Sequence, residues 1–406
     1  MSRLEELIAE LCPDGVEYKS LGEVATISRG GNFQKKDFCD DGFPCIHYGQ
    51  IYTRYGLFAN ETIAFINQDA AKQSKKAVSN DIIMAVTSEN VEDVCKCVAW
   101  LGDGEIAVSG HTAIIHHNLN TKYLVYYFHS SIFYKQKVKF AHGTKVIEVT
   151  PNKLLEISIP VPPLPVQREI VRILDNFTEL TAELTAELTA RKKQYEYYKN
   201  ELLTFDDSVP RMSLGNICTV ITKGTTPKSY QSSGIAFVKT EAFDGSRIVP
   251  EKLSYVDEET HLGFLKRSIL QADDILITIA GATIGKCAMV PANMLPANTN
   301  QALAIIRLAD GNLKKYVMYL LQSNHMKEYM QSNIKGSAQP NLNLKQLNDF
   351  IIPVPMLEEQ ERIVTILDRF DTLCNDISTG LPAEIEARKK QYEYYRDKLL
   401  TFKEHS

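Results

Sequence analysis

Two kinds of hydrophobic pattern alternate along the chain of 406 residues. In residues 17–158, and again in 209–351, short apolar runs such as DIIMAVT and DILITIAG are separated by turns rich in Gly, Asn, Asp and Ser, which is typical of β-strands. Each block ends in a stretch with helical spacing, YLVYYFHSSIFYKQKVKF in the first and LKKYVMYLLQSNHMKEYM in the second. The pattern therefore predicts two globular blocks of the α/β or α+β class.

A different pattern follows each block, after the proline-rich segments IPVPPLP and IPVPM. From Val166 to Leu202, apolar residues recur mainly at spacings of three and four. This spacing predicts one amphipathic helix of roughly 38 residues, about 57 Å long. In the second copy, STGLP at 378–382 interrupts the pattern, so two helical pieces are expected there. Two such long helices in one chain can pair as an antiparallel coiled coil.

The chain is an internal duplication. IPVPPLPVQREIVRILDNF at 159–177 returns as IPVPMLEEQERIVTILDRF at 352–370, and RKKQYEYY at 191–198 returns at 388–395. Equivalent residues of the two copies lie 193 positions apart up to Phe177 and 197 positions apart from Arg191 onward. Thr-Ala-Glu-Leu occurs twice in tandem, at 181–188, inside the segment where this offset changes. Repeats of this length are duplicated domains, so we expect pseudo-twofold symmetry.

The duplication also predicts the domain limits. The first block covers 1–158 with a short helix at 4–11, and the first long helix covers 159–205. The second block covers 206–351, and the second long helix, broken near 378–382, covers 352–406. LEELIAELCPDG precedes the first block as ELLTFDDS precedes the second. Residues 4–11 are therefore expected close to residues 395–402.

Composition and charge narrow the class of protein. Hydrophobic residues make up 44% and charged residues 23%, which suits globular cores. No apolar run is long enough to cross a membrane and the N-terminus is acidic, so we expect a cytoplasmic protein with no membrane association. The net charge of −5 argues mildly against nucleic-acid binding. Yet lysines are concentrated at equivalent places in the two halves, in 122–153 and in 314–345.

No motif for catalysis or for a metal stands out. The eight cysteines form no C-x-x-C pair, and neither Cys95 with Cys97 nor His116 with His117 has the four ligands that zinc requires. GATIGKC at 281–287 has three residues between its glycines, whereas a phosphate-binding loop needs four. We therefore expect a non-catalytic chain that holds no metal and no cofactor.

The two dissimilar blocks, the two near-identical helices and the I-P-V-P-x-L-x-x-Q-x-x-I-V-x-I-L-D-x-F signature together resemble the specificity subunits of type I restriction–modification systems. The tandem Thr-Ala-Glu-Leu resembles a repeat found in the type IC branch, where it forms part of the spacer helix. The resemblance implies two target-recognition domains, each reading one half of a bipartite, asymmetric site in double-stranded DNA. It implies that the helices set the spacing and dock two methyltransferase subunits, with restriction subunits joining outside. S-adenosylmethionine, ATP and Mg would then belong to those partner subunits, as would adenine N6 methylation.

Basic, aromatic and small polar residues in the loops are the candidates for DNA contact, although for any one of them an ordinary solvated position is an equal alternative. In the first block they are Arg29, Lys35, Lys36, His47, Tyr48, Arg54, Tyr55, Lys139, His142, Thr144 and Lys145. In the second block they are Lys223, Thr225, Thr226, Lys228, Lys239, Thr240, Lys335, Ser337 and Gln339. Gly143 and Gly336, within these loops, are more simply interpreted as turn formers.

For methyltransferase docking the candidates are Arg191, Lys192, Arg388 and Lys389. The alternative for this repeated segment is that its tyrosines, at 195, 198, 392 and 395, only pack the coiled coil.

Two other classes of protein remain open. A scaffold or inhibitor protein would use its coiled coil to bind partners without binding DNA. A fused restriction enzyme would need a methyltransferase motif, which the sequence lacks.

Overall fold

The computed structural model describes residues 2–309, 314–333 and 341–405. Its contacts divide the chain into two compact units. The first unit is Met1–Glu183 together with Ile385–Ser406, and the second is Leu184–Glu384. Each unit combines one α/β block with portions of the long helices. The predicted domain limits at 158, 205 and 351 divide the sequence differently and stay predictions.

The strands of the first block are short, as the turn-rich pattern predicts. They are β1 (Tyr18–Ser20), β2 (Ala25–Arg29), β3 (Phe38–Cys39), β4 (Phe43–Ile46), β5 (Phe58–Ala59), β6 (Ala64–Ile66), β7 (Lys76–Ala77), β8 (Ile82–Ala85), β9 (Thr87–Ser88), β10 (Cys97–Trp100), β11 (Ile106–Val108), β12 (Thr112–His117), β13 (Ile147–Glu148) and β14 (Ser158–Pro160). Its helices are α1 (Arg3–Leu11), α2 (Leu21–Val24), α3 (Tyr48–Thr53), α4 (Gln68–Gln73), α5 (Thr121–Phe128), α6 (Ser131–Phe140) and α7 (Pro151–Leu154).

The second block repeats this arrangement with fewer strands among its described residues. The long helix α8 (Leu164–Leu202) precedes it. Its strands are β15 (Arg211–Ser213), β16 (Cys218–Lys223), β17 (Ile235–Val238), β18 (Phe243–Asp244), β19 (Arg247–Ile248), β20 (Ser254–Val256), β21 (Ile275–Thr278), β22 (Cys287–Met289), β23 (Ala297–Thr299), β24 (Leu303–Leu308) and β25 (Ile351–Pro353). Its helices are α9 (Glu258–Leu262), α10 (Lys314–Leu321), α11 (Asn324–Asn333) and α12 (Leu344–Asp349), and α13 (Leu357–Asn375) and α14 (Leu381–Leu399) follow.

Two five-stranded sheets, of strand orders β2-β12-β8-β10-β5 and β3-β6-β4-β11-β7, form the body of the first block, and β1 with β14 and β9 with β13 form separate two-stranded pairs. The central strand β8 is buried on both faces. Ile82 and Met84 belong to the core beneath the helices, whereas Ile83 and Ala85 pack in the core shared with β4 and β11. Successive side chains of a strand point to opposite faces, so a strand that lies between two cores must be apolar throughout. This explains the uninterrupted apolar run in DIIMAVT.

The second block has the matching layers. A sheet of order β16-β24-β21-β22 lies beside a sheet of order β20-β17-β23, with β18 and β19 as a separate hairpin. Ile275 and Ile277 of β21 face the helical core, and Leu276 faces the core next to β17. The α/β class predicted for both blocks is confirmed.

The same side-chain contacts recur at an offset of 193. The hydroxyl of Tyr126 donates to the Asp175 carboxylate at 2.6 Å, and the hydroxyl of Tyr319 donates to Asp368 at 2.6 Å. Lys122 pairs with Asp175 at 2.7 Å as Lys315 pairs with Asp368 at 2.6 Å. Because each set joins an α/β block to its own long helix, the duplication extends to the way each block is fixed in place.

The long helices pack in an equivalent way within each unit. In the first unit the ring of Phe177 stacks on Tyr395 with centroids 5.5 Å apart, and in the second unit Phe370 stacks on Tyr198 at 5.7 Å. Phe370 also stacks on Tyr195, and further along α13 Cys374 lines the same recess as Lys192. Residues with higher numbers on α13 therefore lie next to residues with lower numbers on α8, so the two helices run antiparallel.

The helix boundaries follow local capping chemistry. α8 is continuous over 39 residues, whereas a break separates α13 from α14, and both features were predicted. At the break the Asp376 carboxylate accepts from the Ser378 backbone N–H at 2.8 Å and pairs with Arg247 at 3.0 Å. The guanidinium of Arg247 and the hydrogen bonds from Ser378 lower the pKa of the Asp376 carboxyl well below its usual range.

The N-terminal helix lies where the duplication predicts. α1 begins with a reciprocal capping box between Ser2 and Glu5. Leu4 and Leu7 enter the same core as Leu400, and the Val16 N–H donates to the Lys403 carbonyl at 2.8 Å. The expected proximity of residues 4–11 to residues 395–402 is confirmed within the first unit.

Candidate nucleic-acid interface

A polar recess of about 500 Å³ lies in the first block, at one end of the sheet of order β2-β12-β8-β10-β5. We call it the first recess; it is lined by Arg29, Gly30, Gly31, Asn32, Gln73, Lys75, Gly110 and His111. Three chain segments converge there, namely the end of β2, the end of α4 and the turn before β12. The charged lining residues Arg29 and Lys75 are basic and exposed, so the recess favours an anionic ligand.

Two glycines allow these segments to approach each other. A Cβ atom on Gly30 would overlap the Ser109 carbonyl, and one on Gly31 would lie 2.6 Å from the Ser74 Cα. The Gly30 N–H donates to the Thr112 carbonyl at 2.9 Å, and the Gly31 N–H donates to the Val108 carbonyl at 2.8 Å. The close backbone approach at these two glycines therefore determines the shape of the recess, whereas the side chains that line it can differ.

Arg29 is held in position at the edge of the first recess. Its Nη2 pairs with the Glu148 carboxylate at 3.1 Å, and its Nε donates to the Gly110 carbonyl at 3.0 Å. Glu148 in turn forms both backbone hydrogen bonds of a β-bridge with His142. The loop that carries Lys139, His142, Thr144 and Lys145 is thereby linked to the recess, and all four residues are exposed.

His47 and Tyr48 also border the recess. His47 caps helix α3 by accepting from the Gly49 N–H at 3.2 Å, and the Tyr48 N–H donates to the Ser109 hydroxyl at 2.8 Å. The Tyr48 ring lies 4.5 Å from the His47 ring and 4.9 Å from the His111 ring. An aromatic wall of this kind can contact a base edge or a sugar.

The remaining candidates of the first block lie apart from the recess. Lys36 is exposed in the 3-10 turn Lys35–Asp37, and Arg54 is exposed at the end of α3. Tyr55 is partly buried, its hydroxyl accepts from the Ile63 N–H at 3.0 Å, and burial raises its pKa. Tyr55 thus has a packing role that the sequence did not reveal.

The second block forms the equivalent backbone arrangement around Gly224. A Cβ atom on Gly224 would overlap the carbonyls of Asn300 and Thr299, and the Thr225 N–H donates to the Thr299 carbonyl at 2.9 Å. Lys223, Thr226 and Lys228 are exposed on either side of this approach. The position is the counterpart of Gly30, but the side chains around it differ.

Other candidates of the second block lie on the next strand and beyond. Lys239 follows β17 directly, as His47 follows β4, and its ammonium lies 4.9 Å from the centroid of the Tyr230 ring. Thr240 begins the 3-10 turn Thr240–Ala242. The remaining candidates, Lys335, Ser337 and Gln339, lie outside the described residues.

Four lining residues of the first recess were missed by sequence reasoning, namely Asn32, Gln73, Lys75 and His111. All four are exposed. Asn and Gln side chains can pair with adenine through two hydrogen bonds, so they suit base recognition. No local signal joins these residues, because about 80 positions separate Asn32 from His111 and only the sheet brings them together. The sequence does hold one indication: in Ser109-Gly110-His111, as in Arg29-Gly30, a glycine stands next to a polar side chain in a turn.

The candidate docking residues lie on the long helices. Arg191 pairs with Glu187 at 3.4 Å and donates to the Gln194 amide at 2.9 Å, and Arg388 donates to Gln391 at 3.2 Å. Lys192 and Lys389 are exposed. The four tyrosines of the packing alternative all contact neighbouring rings: Tyr195 and Tyr198 contact Phe370, Tyr395 contacts Phe177, and Tyr392 contacts Tyr126.

The described ranges contain neither a metal-binding cluster nor a membrane-spanning helix. Between residues 2 and 405, outside the two undescribed segments, no cluster of three or more His, Cys, Asp or Glu side chains could hold a metal ion. None of the helices described has the length and apolar character needed to span a membrane.

Comparison with known proteins identifies the family. The model of the type I restriction modification DNA specificity domain matches residues 13–191 and 208–387. The specificity subunit of a type I restriction enzyme of Escherichia coli is 38% identical over 257 residues, a match that covers 61% of this chain and 63% of that protein. A putative type I restriction enzyme specificity subunit of Haemophilus influenzae is 34% identical over 316 residues, covering 74% of this chain and 77% of that protein.

A solved structure from a study of complex assembly and conformational transition in a type I restriction–modification system has the same fold. It aligns with a TM-score of 0.65 over 96% of this chain and 98% of that chain, at 20% sequence identity.

The chain belongs to the family of type I restriction–modification DNA specificity subunits. Such subunits determine DNA sequence specificity and are themselves non-catalytic, and their partners are DNA and the modification and restriction subunits. The resemblance stated from the sequence is thereby confirmed, and the alternative of a scaffold that binds no DNA is not supported.

Proposed function

We propose that each α/β block reads one half of a bipartite, asymmetric site in double-stranded DNA. The observation that carries the proposal is the pair of equivalent backbone approaches at Gly30 and Gly224, which are surrounded by different side chains. A shared scaffold places the two reading surfaces alike on the two blocks. Different side chains on that scaffold then select different bases.

The side chains divide by role. Arg29 and Lys75 in the first block, with Lys223 and Lys239 in the second, are suited to phosphate oxygens, which fix position without reading sequence. Asn32, Gln73 and His111 present hydrogen-bonding groups suited to base edges. The proposed half-site of the first block is thus read mainly by residues of the first recess.

The long helices, in this proposal, set the distance between the half-sites and dock two methyltransferase subunits, one on each copy of RKKQYEYY. Restriction subunits join outside these. S-adenosylmethionine, ATP and Mg are held by the partner subunits, and the complex works in the cytoplasm.

Salt dependence of DNA binding tests the proposal. The chain assembled with its methyltransferase should bind DNA with an affinity that falls linearly on a log–log plot against salt, because each phosphate contact releases counterions. Lys75→Ala should weaken binding to all sequences alike and reduce the slope by about one. Fluorescence anisotropy across a salt series measures both quantities.

Lys72→Ala is the matched control. Lys72 lies three residues from Lys75 on the same surface segment and pairs with Asp69 at 3.4 Å. Lys72 does not line the first recess. The affinity of Lys72→Ala for DNA should therefore fall with salt at the same slope as that of the unmodified chain. DNA binding that showed no salt dependence in the assembled complex would contradict the proposal and restore the scaffold alternative.

A further inference from the structure

The two long-helix segments of the chain differ in length by four residues. The first segment is α8, and the second is α13 with α14. Because equivalent residues lie 193 positions apart at Phe177 and 197 positions apart at Arg191, the second segment is the longer one. The surplus falls where the second segment breaks. On this alignment DISTGLP at 376–382 stands in place of the three residues at 183–185, which continue α8.

The break leaves the helical length of the second segment almost unchanged. α8 has 39 residues without interruption, whereas α13 and α14 have 19 residues each. Because every helical residue contributes about 1.5 Å of rise, α13 and α14 together supply nearly the same rise as α8. The surplus residues, from Asp376 to Gly380, belong to neither helix.

Within the second unit, α14 resumes close to the end of α13. A Cβ atom on Gly380 would overlap the Thr372 carbonyl oxygen and would lie 2.9 Å from that of Leu373, so Gly380 lies against the last turn of α13. In an uninterrupted helix, residue 377 would be the one that meets the Leu373 carbonyl. Gly380 lies there instead, so the residues between them leave the helix as a loop.

This loop is fixed at its first residue and exposed beyond it. Asp376 pairs with Arg247 of the second block at 3.0 Å, and its carboxylate accepts from the Ser378 N–H at 2.8 Å. Ile377, Ser378 and Thr379 are all exposed, and none of them belongs to a hydrophobic core of the described residues. Converting these three residues to helix would therefore disturb no core packing.

Each long-helix segment connects the core of one unit to the core of the other. α8 contributes Val166 to the core of the first unit and Tyr195 to that of the second. The second segment runs back from Ile363, in the core of the second unit, to Leu400, in the core of the first. If both segments set one distance, as the proposed function holds, their helical lengths must match.

We propose that the loop at 376–380 is a length reserve of the second segment and thereby a determinant of the gap between the two DNA half-sites. The inference rests on the proposed function, in which the long helices set that gap. With two Thr-Ala-Glu-Leu units in α8, the loop keeps the surplus residues out of the helix. When α8 gains a third unit, residues 376–379 join α13 and supply the same four residues of helix, about 6 Å.

Gly380 and Pro382 permit this extension. Proline is tolerated in the first turn of a helix, where its missing N–H is not needed, so α14 can still begin at Leu381. Gly380 supplies the joint, because glycine adopts backbone conformations that other residues do not. The residues that interrupt the helix therefore keep the start of α14 unchanged while α13 grows.

Mapping of methylated sites in cells that express the chain with its methyltransferase tests the proposal. In the straight variant, Glu-Leu-Thr, the sequence of 183–185, replaces 376–382, which makes the second segment one helix as long as α8. This variant should keep the gap of the unmodified chain. A third unit inserted after Leu188 should lengthen the gap of the unmodified chain by about one base pair, but should abolish methylation in the straight variant, which has no reserve.

Two further chains complete the series. A Thr-Ala-Glu-Leu unit added after Ile385 as well as after Leu188 should restore methylation to the straight variant, at the lengthened gap, because the two segments match again. Gly-Ser-Gly-Ser inserted after Ser378 is the matched control. It adds four residues to the loop and none to a helix, so the gap should stay that of the unmodified chain.

Hydrogen exchange gives a test that does not depend on the straight variant. In the complex with the methyltransferase, the backbone amides of 377–379 should exchange more slowly in the chain with a third unit than in the unmodified chain, because they become part of a helix. Thermal unfolding close to that of the unmodified chain shows that each variant is folded. If the straight variant does not fold, the exchange rates decide.

The outcomes separate this inference from the proposed function. Methylation at the lengthened gap by the straight variant with a third unit in α8 alone would overturn the reserve and leave the spacing role of the helices standing. Unchanged exchange at 377–379, or a changed gap in the straight variant with two units, would also overturn it. An unchanged gap when the third unit is added to the unmodified chain would contradict the proposed spacing role and the reserve together.

Discussion

His129 is a partly buried residue whose charge state makes the stability of the first unit depend on pH. Its Nδ1–H donates to the Val125 carbonyl at 2.9 Å at the end of α5. Desolvation lowers the pKa of this imidazole to about 4, and the nearby charges of Arg396, Lys137 and Lys96 act in the same direction. The folded protein therefore holds His129 neutral.

The unfolded chain binds a proton on this histidine near pH 6.5, well before the folded chain does. Stability is thus fully present above about pH 6.5 and falls as the pH is lowered toward 4, by up to about 3 kcal/mol at about 1.4 kcal/mol per pKa unit. We expect His129→Gln to reduce this loss between pH 7 and pH 5, as measured by urea unfolding. His405→Gln, at an exposed position, should retain it. Equal losses in all three proteins would contradict the assignment.

Single residues also show where sequence reasoning stops. Arg29, His47 and Tyr48 were selected because they are basic or aromatic residues in loops, and they border the first recess. Tyr55 is a candidate on the same grounds, but its ring packs against the buried core that contains Ile46 and Ile51, and its hydroxyl has a backbone partner. Loop sequence does not reveal which aromatic ring turns inward. That information comes from strands far away in the chain.

Among the elements, the long helix α8 was the most predictable, because its apolar spacing is local and extends over many turns. The break between α13 and α14 was equally predictable, because Gly380 and Pro382 lie within the five residues 378–382. The strands were predictable as apolar runs, but their pairing was not. β5 and β10, for example, are parallel neighbours separated by about 40 residues. The first recess depends on the pairing of β2 with β12, which places Arg29 opposite Ala113, and so could not be derived from the sequence.

The Thr-Ala-Glu-Leu repeat in α8 predicts that Leu180, Leu184 and Leu188 lie near the helix seam and that the glutamates at 183 and 187 point away from it. For Leu180 this prediction is wrong. Leu188 packs against the core of the second unit, Leu184 is partly buried, and Leu180 is 46% exposed. Each four-residue step rotates about 40° beyond a full turn, so leucines repeated at this interval drift around the helix. The glutamates at 183 and 187 are exposed, as expected.

The tandem Thr-Ala-Glu-Leu is proposed to act as a ruler between the half-sites. One unit adds about 6 Å of rise and about 40° of rotation to a helix. One base pair of B-DNA adds about 3.4 Å and about 35°. Inserting a third unit after Leu188 should therefore lengthen the unspecified gap by about one base pair and leave both half-sites unchanged.

Mapping methylated sites in cells that express the variant with its methyltransferase measures the gap. Deleting one unit should shorten the gap or abolish assembly. Thr181→Ala with Thr185→Ala keeps the helix length and should keep the gap, which separates length from composition. An unchanged gap after insertion, or a changed half-site, would refute the ruler.

At the scale of the whole chain, duplication explains both what the halves share and what they do not. The contacts that fix each block to its helix recur at an offset of 193, as in Tyr126 with Asp175 and Tyr319 with Asp368. Around Gly30 and Gly224 the backbone is alike and the side chains differ. The account therefore predicts a target with two parts, each controlled by one block and independent of the other.

The most direct test of this central claim is single-molecule mapping of methylated adenines in cells that express the chain with its methyltransferase. The unmodified chain should give one bipartite, asymmetric motif. Asn32→Ala, Gln73→Ala and His111→Ala together should relax one half of the motif and leave the other intact. Thr226→Ala with Thr240→Ala, which removes hydroxyls that can contact base edges in the second block, should affect only the other half. A continuous motif, or variants of one block that degrade both halves equally, would contradict the account.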